Sequence, residues 1–329
     1  MNTTYLGTIP NAASGKPGMP QLLGLGLLAA ALFSVTFVLN RSMSLSGGHW
    51  AWSAALRYID MAWLMAAWLA ARHGVGYLMA VVRLFWQQLW FWLVAGGIGF
   101  GMFYSGICYA ADNAPGWIVA ATWQTTLLAT PIVLRGFGMS VPMRGIMFSS
   151  VIFIGIAILN GQRIAEGVEV AQVTKGVLPV IAAAFAYPIG NQLLNRAKHG
   201  SGSGTATLAN PAAAVLLLTL GAFPLFAVLL LVASPPPPSV GQLASTAVIA
   251  VVAGGLATTL FLHARNLSND PWRIAAVDAT QAGEVAFALT GEVLFLGAAP
   301  PSLVGWLGLL AVMGGLAGFM LRAETSGSS

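Results

Sequence analysis

The sequence predicts an all-α membrane protein whose ten transmembrane helices form two inverted five-helix repeats. Composition is the first reason: of 329 residues, 57% are hydrophobic and 7% charged, with a mean hydropathy of +0.81, whereas soluble domains carry about a quarter charged residues. The second is a series of ten apolar segments, each able to cross a hydrocarbon core of about 30 Å at about 1.5 Å per residue. The third is an internal repeat that divides the chain into halves. Ten helices of about 20 residues fill about 200 positions, which leaves no room for a separate soluble catalytic domain.

Met1–Met19 is polar, with Gly and Pro, and reads as a disordered tail. The apolar run that follows is longer than a signal-peptide core and has no convincing cleavage site, so 21–40 is the first helix. Further segments fall near 50–71, 89–111, 115–134, 141–159, 177–194, 212–232, 243–262, 274–296 and 303–321. Asp112 to Ala114 alone separates the third from the fourth, a tight hairpin, and Pro115 suits the first turn of the next helix. Pro235 to Pro238 forms a stiff polyproline spacer, and Gly200 to Gly204 a flexible loop. The resulting division is a first repeat at 20–160, a connecting loop at 161–174, a second repeat at 175–321 and a C-terminal tail at 322–329.

Four short words carry the repeat. AAA at 29–31 returns at 182–184, NR at 40–41 at 195–196, AGG at 95–97 at 253–255 and N-x-P at 113–115 at 269–271, each about 155 positions on. Five helices per half is an odd number, so the second half enters the membrane from the opposite side, the arrangement used for alternating access. Charge sets the orientation. Lys16, Arg72, Arg83, Arg135, Arg144, Arg196, Lys198, Arg265, Arg273 and Arg322 fall on one side, with Arg41, Arg163 and Lys175 on the other. The positive-inside bias puts both termini in the cytoplasm, in a cell (inner) membrane. The basic excess faces lipid headgroups and not nucleic acid. Cys108 stands alone, and the four histidines are scattered, so the sequence offers no disulfide, metal or other cofactor site. Gly97, Gly99 and Gly101 lie in an apolar helix with no preceding strand and do not make a nucleotide loop. Gly314 and Gly318 have the spacing of a close helix contact, within a monomer or a homodimer.

Leu56-Arg57-Tyr58, the AGGIGFGMFY run at 95–104, Pro131 and Gly291-Glu292 before the last hairpin resemble the drug/metabolite transporter superfamily. The likeness is to its ten-helix EamA-type branch and the multidrug-resistance efflux group. The resemblance implies a basket of ten helices whose central cavity is lined mainly by the first, third, fourth, sixth, eighth and ninth. One feature departs from it: the four-helix relatives use a glutamate in their first helix. Here that helix offers Ser34 and Thr36, and its repeat counterpart offers Tyr187, Asn191 and Gln192.

Ionisable side chains at bilayer depth cost about 2.5–3.5 kcal/mol on insertion scales and therefore mark partners or function. Arg57 and Asp60, three residues apart on one helix face, are expected to form a structural ion pair. Asp278 and Glu284 have no such local partner. With Gln281 they fall within an arc of about 120° on the ninth helix, and Glu284 lies about 20 Å along it from Pro271. The corresponding stretch of the fourth helix carries Trp123 and Gln124, and Tyr104, Tyr187 and Asn191 add aromatic and polar surface. These eight residues are the candidates for substrate binding or proton coupling, and their carboxylate excess favours amines, zwitterions or organic cations over simple dicarboxylates. The function expected is secondary export of small organic solutes, driven by protons or by substrate gradients, with facilitation or uptake as the alternative. An intramembrane enzyme is disfavoured, since the chain has neither HExxH nor GxSxG.

Overall fold

The computed structural model describes residues 18–139, 146–199, 204–268 and 271–323. Lys16, Arg144, residues 200–203, the first two residues of the second N-x-P word and most of both tails lie outside these. The described residues form α1 (Met19–Leu45), α2 (Trp50–His73), α3 (Val75–Gln87), α4 (Leu89–Asn113), α5 (Gly116–Gly136), α6 (Ile146–Ala165), α7 (Val170–His199), α8 (Thr205–Leu208), α9 (Pro211–Ala233), α10 (Val240–Asn266), α11 (271–296) and α12 (Leu303–Ala323). Among these residues no strand occurs. Six helices, α1, α4, α5, α7, α9 and α10, are long and apolar enough to cross a membrane.

Local chemistry sets the boundaries. The His49 ring accepts from the Ala51 N–H at the start of α2, the Asn210 side chain accepts from Ala212 at the start of α9, and the Ser239 hydroxyl accepts from Gln242 at the start of α10. Gly74, at φ +84°, ends α2 and lets the chain turn directly into α3. That helix occupies what the sequence reading treats as an inner loop bearing Arg72 and Arg83. Val81, Leu84 and Phe85 have helical spacing and bury against Leu69 and Leu217, while Met79, Arg83 and Trp86 stay exposed. The connection between halves is also shorter than expected: α6 ends at Ala165 and α7 begins at Val170.

Two pairs of helices run antiparallel along their length. In the first, Trp52 at the start of α2 donates to the Pro236 carbonyl beyond α9, Tyr58 stacks on Phe226, and His73 at the end of α2 reaches Asn210 before α9. In the second, Gly155 of α6 lies against Gly308 and Val312 of α12, and Gln162 further along α6 donates to Ser302. The other main packings join α1 to α10 and α11, α7 to α4 and α5, and α9 to α4. Lipid tails are as apolar as leucine, so close approach of small residues holds such crossings together. A methyl group on Gly99 would fall 2.7 Å from the Cα of Gly190, and one on Gly221 would run into the Trp92 carbonyl. Gly314 faces open space, so that glycine of the predicted pair makes no such contact.

Four helices are irregular at mid-length. α4 contains a π-helical stretch at Gly97–Met102 and α10 another at Ala250–Ala257. α5 is interrupted at Gln124 and Thr125, and α11 by a 3-10 turn at Thr280–Ala282. Each irregularity in the first half therefore has a counterpart in the second.

Candidate substrate site

The breaks in α5 and α11 bring two polar groups together inside the bundle. In α5 the hydroxyls of Thr122 and Thr125 return to the Ile118 and Thr122 carbonyls at 2.8 and 2.7 Å, and the Gln124 amide donates to Ala120 at 3.3 Å. Side chains thus take up backbone acceptors where the regular ladder lapses. Glu284 opens the second part of α11, just past its 3-10 turn, and its buried carboxyl lies against the Gln124 side chain. Each irregularity places its polar residue toward the other helix.

Beside this pair stands an aromatic corner. Phe103 of α4, Trp123 of α5 and Tyr187 of α7 have ring centroids 4.9, 5.0 and 5.7 Å apart. Tyr187 keeps 36% of its surface accessible although it lies mid-helix. The rings continue inward from Phe103 to Tyr104 at 6.0 Å and from Tyr104 to Tyr58 at 5.6 Å. Asn40 of α1 donates to the Tyr104 hydroxyl at 3.1 Å, fixing that ring, and the Cys108 thiol approaches the same amide. Such a surface can hold a flat solute by stacking, with a hydrogen-bonding or charged end at Gln124 and Glu284.

Of the residues expected from sequence, Trp123, Gln124, Tyr187 and Glu284 converge here, with Tyr104 one ring further in. Asn191 is half-buried on α7 next to Gly190, whose contact is with Gly99 of α4. The polar stripe of α11 does not act as a unit. Asp278 forms an ion pair with Arg265 of α10 at 3.2 Å, so it has the partner that the sequence reading denied it. Gln281 sits in the 3-10 turn, which changes its direction relative to its neighbours, and its amide nitrogen is buried without a hydrogen-bond partner. Arg57 and Asp60 do not pair either. The guanidinium lies 4.0 Å from the Tyr104 ring centroid, while Asp60 lies near Thr246 of α10 with one carboxylate oxygen buried and without a hydrogen-bond partner. Spacing on a helix permitted the pair, but the Arg57 guanidinium packs against rings and does not reach Asp60.

Sequence reasoning missed Glu292 as an ionisable group at depth. It is 1% exposed and accepts a hydrogen bond from the Gly116 N–H at the start of α5. A carboxylate at a helix N-terminus meets unpaired donors and the positive end of the dipole. The available signal was Gly291-Glu292 together with Pro115, which marks where those donors begin. Phe103 was missed for a simpler reason: one phenylalanine among sixteen carries no sequence signal. Among the described residues no three His, Cys, Asp or Glu side chains gather as a metal site.

Residues 20–325 match the protein family described as "Putative multidrug resistance efflux transporter" (EmrE). The chain belongs to this family. It is a membrane transporter family and not an enzyme family, so the helices described above are those of a multi-pass membrane protein that handles small molecules. Among similar proteins, the "Uncharacterized protein YjlA" of Bacillus subtilis (strain 168) is 35% identical over 318 residues, covering 92% of this chain and 94% of its own. The "Uncharacterized 42.1 kDa protein in intracellular alkaline protease 3'region" of Shouchella clausii is 31% identical over 273 residues, covering 79% and 69%. A solved structure described as "Crystal structure of protein" shares the fold, with a TM-score of 0.60 at 18% identity over 94% of this chain and 99% of that one.

Proposed function

We propose that this transporter exports small organic solutes by alternating access between two inverted five-helix repeats, with substrate held where α5 and α11 break. The observation that carries the reading is the symmetry of the packing. Exchanging the halves maps α1 onto α7, α2 onto α9, α4 onto α10, α5 onto α11 and α6 onto α12. The packing of α1 on α10 and α11 then becomes that of α7 on α4 and α5, while the α2–α9 and α6–α12 pairs map onto themselves. Both self-paired sets run antiparallel, as an in-plane two-fold axis requires of equivalent helices. The π stretches and the mid-helix breaks exchange as well, and irregular backbone at depth is characteristic of a lined site.

Glu284 and Gln124 then form the polar end of the site, with Trp123, Tyr187 and Phe103 as its stacking surface. The charge balance differs from the one the sequence suggests, because Asp278 is paired and Glu292 holds a helix end. Glu284, at the break between α5 and α11, is the carboxyl that a proton or a cationic substrate group exchanges on. Purified protein in liposomes, tested for pH-dependent counterflow of aromatic amines, checks this. Glu284→Gln is expected to lower flux at least tenfold and flatten its pH response while leaving the folded fraction unchanged. Flux equal to wild type between pH 6 and 8 would remove Glu284 from the mechanism. Inside-out and right-side-out vesicles separate export from facilitated entry.

A further inference from the structure

His49 stands where three connections meet: the α1–α2 turn, the polyproline bridge between α9 and α10, and the end of α4. Its ring caps α2, with Nδ1 accepting from the Ala51 N–H at 3.2 Å. A backbone N–H only donates, so this nitrogen carries no proton and the neutral ring holds its hydrogen on Nε2. The His49 carbonyl accepts from the Gln242 amide of α10 at 2.9 Å, and that amide also donates to the Ser53 hydroxyl at 2.8 Å. Trp52 donates to the Pro236 carbonyl at 2.9 Å. The first turn of α2 is thus fastened to the α9–α10 bridge. On its other side Trp50, 5.4 Å from the His49 ring, meets Tyr109 of α4 edge-on at 5.3 Å. Asp112, one turn beyond Tyr109, lies close enough to feel the charge of His49 and that of Arg41 of α1. Arg41 is itself held by the Ala111 carbonyl at 2.8 Å. Residues 234–262, from the bridge well into α10, carry no charged or titratable side chain.

Ser46, His49, Pro236 and Gln242 line a partly open cavity of about 280 Å³, which gives protons access to this corner and leaves the ring room to turn. Imidazole is the side chain whose charge changes between pH 5 and 8. Once protonated, both of its nitrogens are donors. The bond from Ala51 is then lost, and the cation is drawn to Asp112 instead. We propose that His49 is a proton-binding switch at the end of the bundle away from the N-terminus, which is the outer side in the assigned orientation. Proton binding uncaps α2, turns the ring from Ala51 toward Asp112 and loosens the corner that holds α2 on the α9–α10 bridge. External acid thereby eases opening toward the outside. The switch requires neither Glu284 nor the transport reading, although its effect on flux rests on that reading.

A bimane probe on Ser46→Cys, in a Cys108→Ser background, reports on the cavity in purified protein. Its fluorescence should titrate between pH 5 and 8. His49→Asn keeps an acceptor favoured at helix starts but takes up no proton, so the signal should stay at its alkaline level throughout. His49→Ala has no cap and should stay at the acid level. Asp112→Asn should keep the titration and lower its midpoint by about one pH unit, since the imidazolium loses its counter-charge. A flat signal in the parent, a His49→Asn protein that titrates like its parent, equal levels in the two flat variants, or an unmoved midpoint in Asp112→Asn would overturn the switch. Flux in liposomes is measured separately. Wild type and His49→Asn should match at alkaline external pH, and wild type should be about threefold faster once the outside is acidified below the midpoint, the size of one lost helix cap. Equal flux at both pH values would overturn control of transport by His49. A titrating probe with no flux at all would sustain the switch and defeat the transport reading.

Discussion

At Gly116 the first backbone N–H of α5 points at the carboxyl of Glu292, across the interface between α5 and α11. Removing the acceptor leaves a buried donor unpaired, a penalty of about 1–3 kcal/mol. Glu292→Ala is therefore expected to lower the thermal unfolding midpoint in detergent by several degrees, and Glu292→Gln, which still accepts, by less. Similar midpoints for wild type and Glu292→Ala would show that the contact adds nothing to stability. Glu284 lies on the same helix but meets a side-chain amide in place of a helix end, so its substitution should change flux before stability. Two glutamates of similar sequence context thus differ through what faces them.

Helix crossings depend on a few glycines, and the effect of a methyl group differs sharply among them. At Gly99 and Gly221 an added Cβ meets the backbone of the facing helix, which cannot move aside as a flexible side chain could. Overpacking of this kind costs about 1–3 kcal/mol, so Gly99→Ala and Gly221→Ala should each reduce the yield of folded protein and lower the unfolding midpoint. Gly314→Ala, directed into open space, should be neutral or stabilising by up to about 1 kcal/mol through helix propensity. Equal behaviour of all three variants in the same unfolding assay would refute the packing account. The spacing of 314 and 318 looked like a contact in the sequence, whereas the glycines that do meet, 99 with 190 and 155 with 308, are far apart in the chain. No local word could have paired them.

For the molecule as a whole, the proposed inverted arrangement predicts antiparallel neighbours and a defined orientation. Gln162→Cys with Ser302→Cys, on a Cys108→Ser background, should cross-link readily under mild oxidation, since these side chains touch across α6 and α12. A pair joining Gln162 to the middle of α12, at Met313→Cys, should not. A reporter fused to the C-terminus should be active in the cytoplasm, as the ten-to-three split of basic residues requires. Periplasmic activity would reverse the assigned orientation while leaving the fold intact.

The sequence by itself determined that this is an all-helical membrane protein and where most helices lie, and it pointed to Trp123, Gln124, Tyr187 and Glu284. Those properties are written in composition and segment length, because a bilayer demands long apolar helices wherever they finally pack. Tertiary structure alone decided which polar groups meet. Asp278 found Arg265, Glu292 found the start of α5, and Arg57 was left against tyrosine rings. Each partner lies on another helix, except for one of the two tyrosines. At this depth a charge goes to whatever neighbour satisfies it best, and the helical wheel of one segment holds no record of that neighbour.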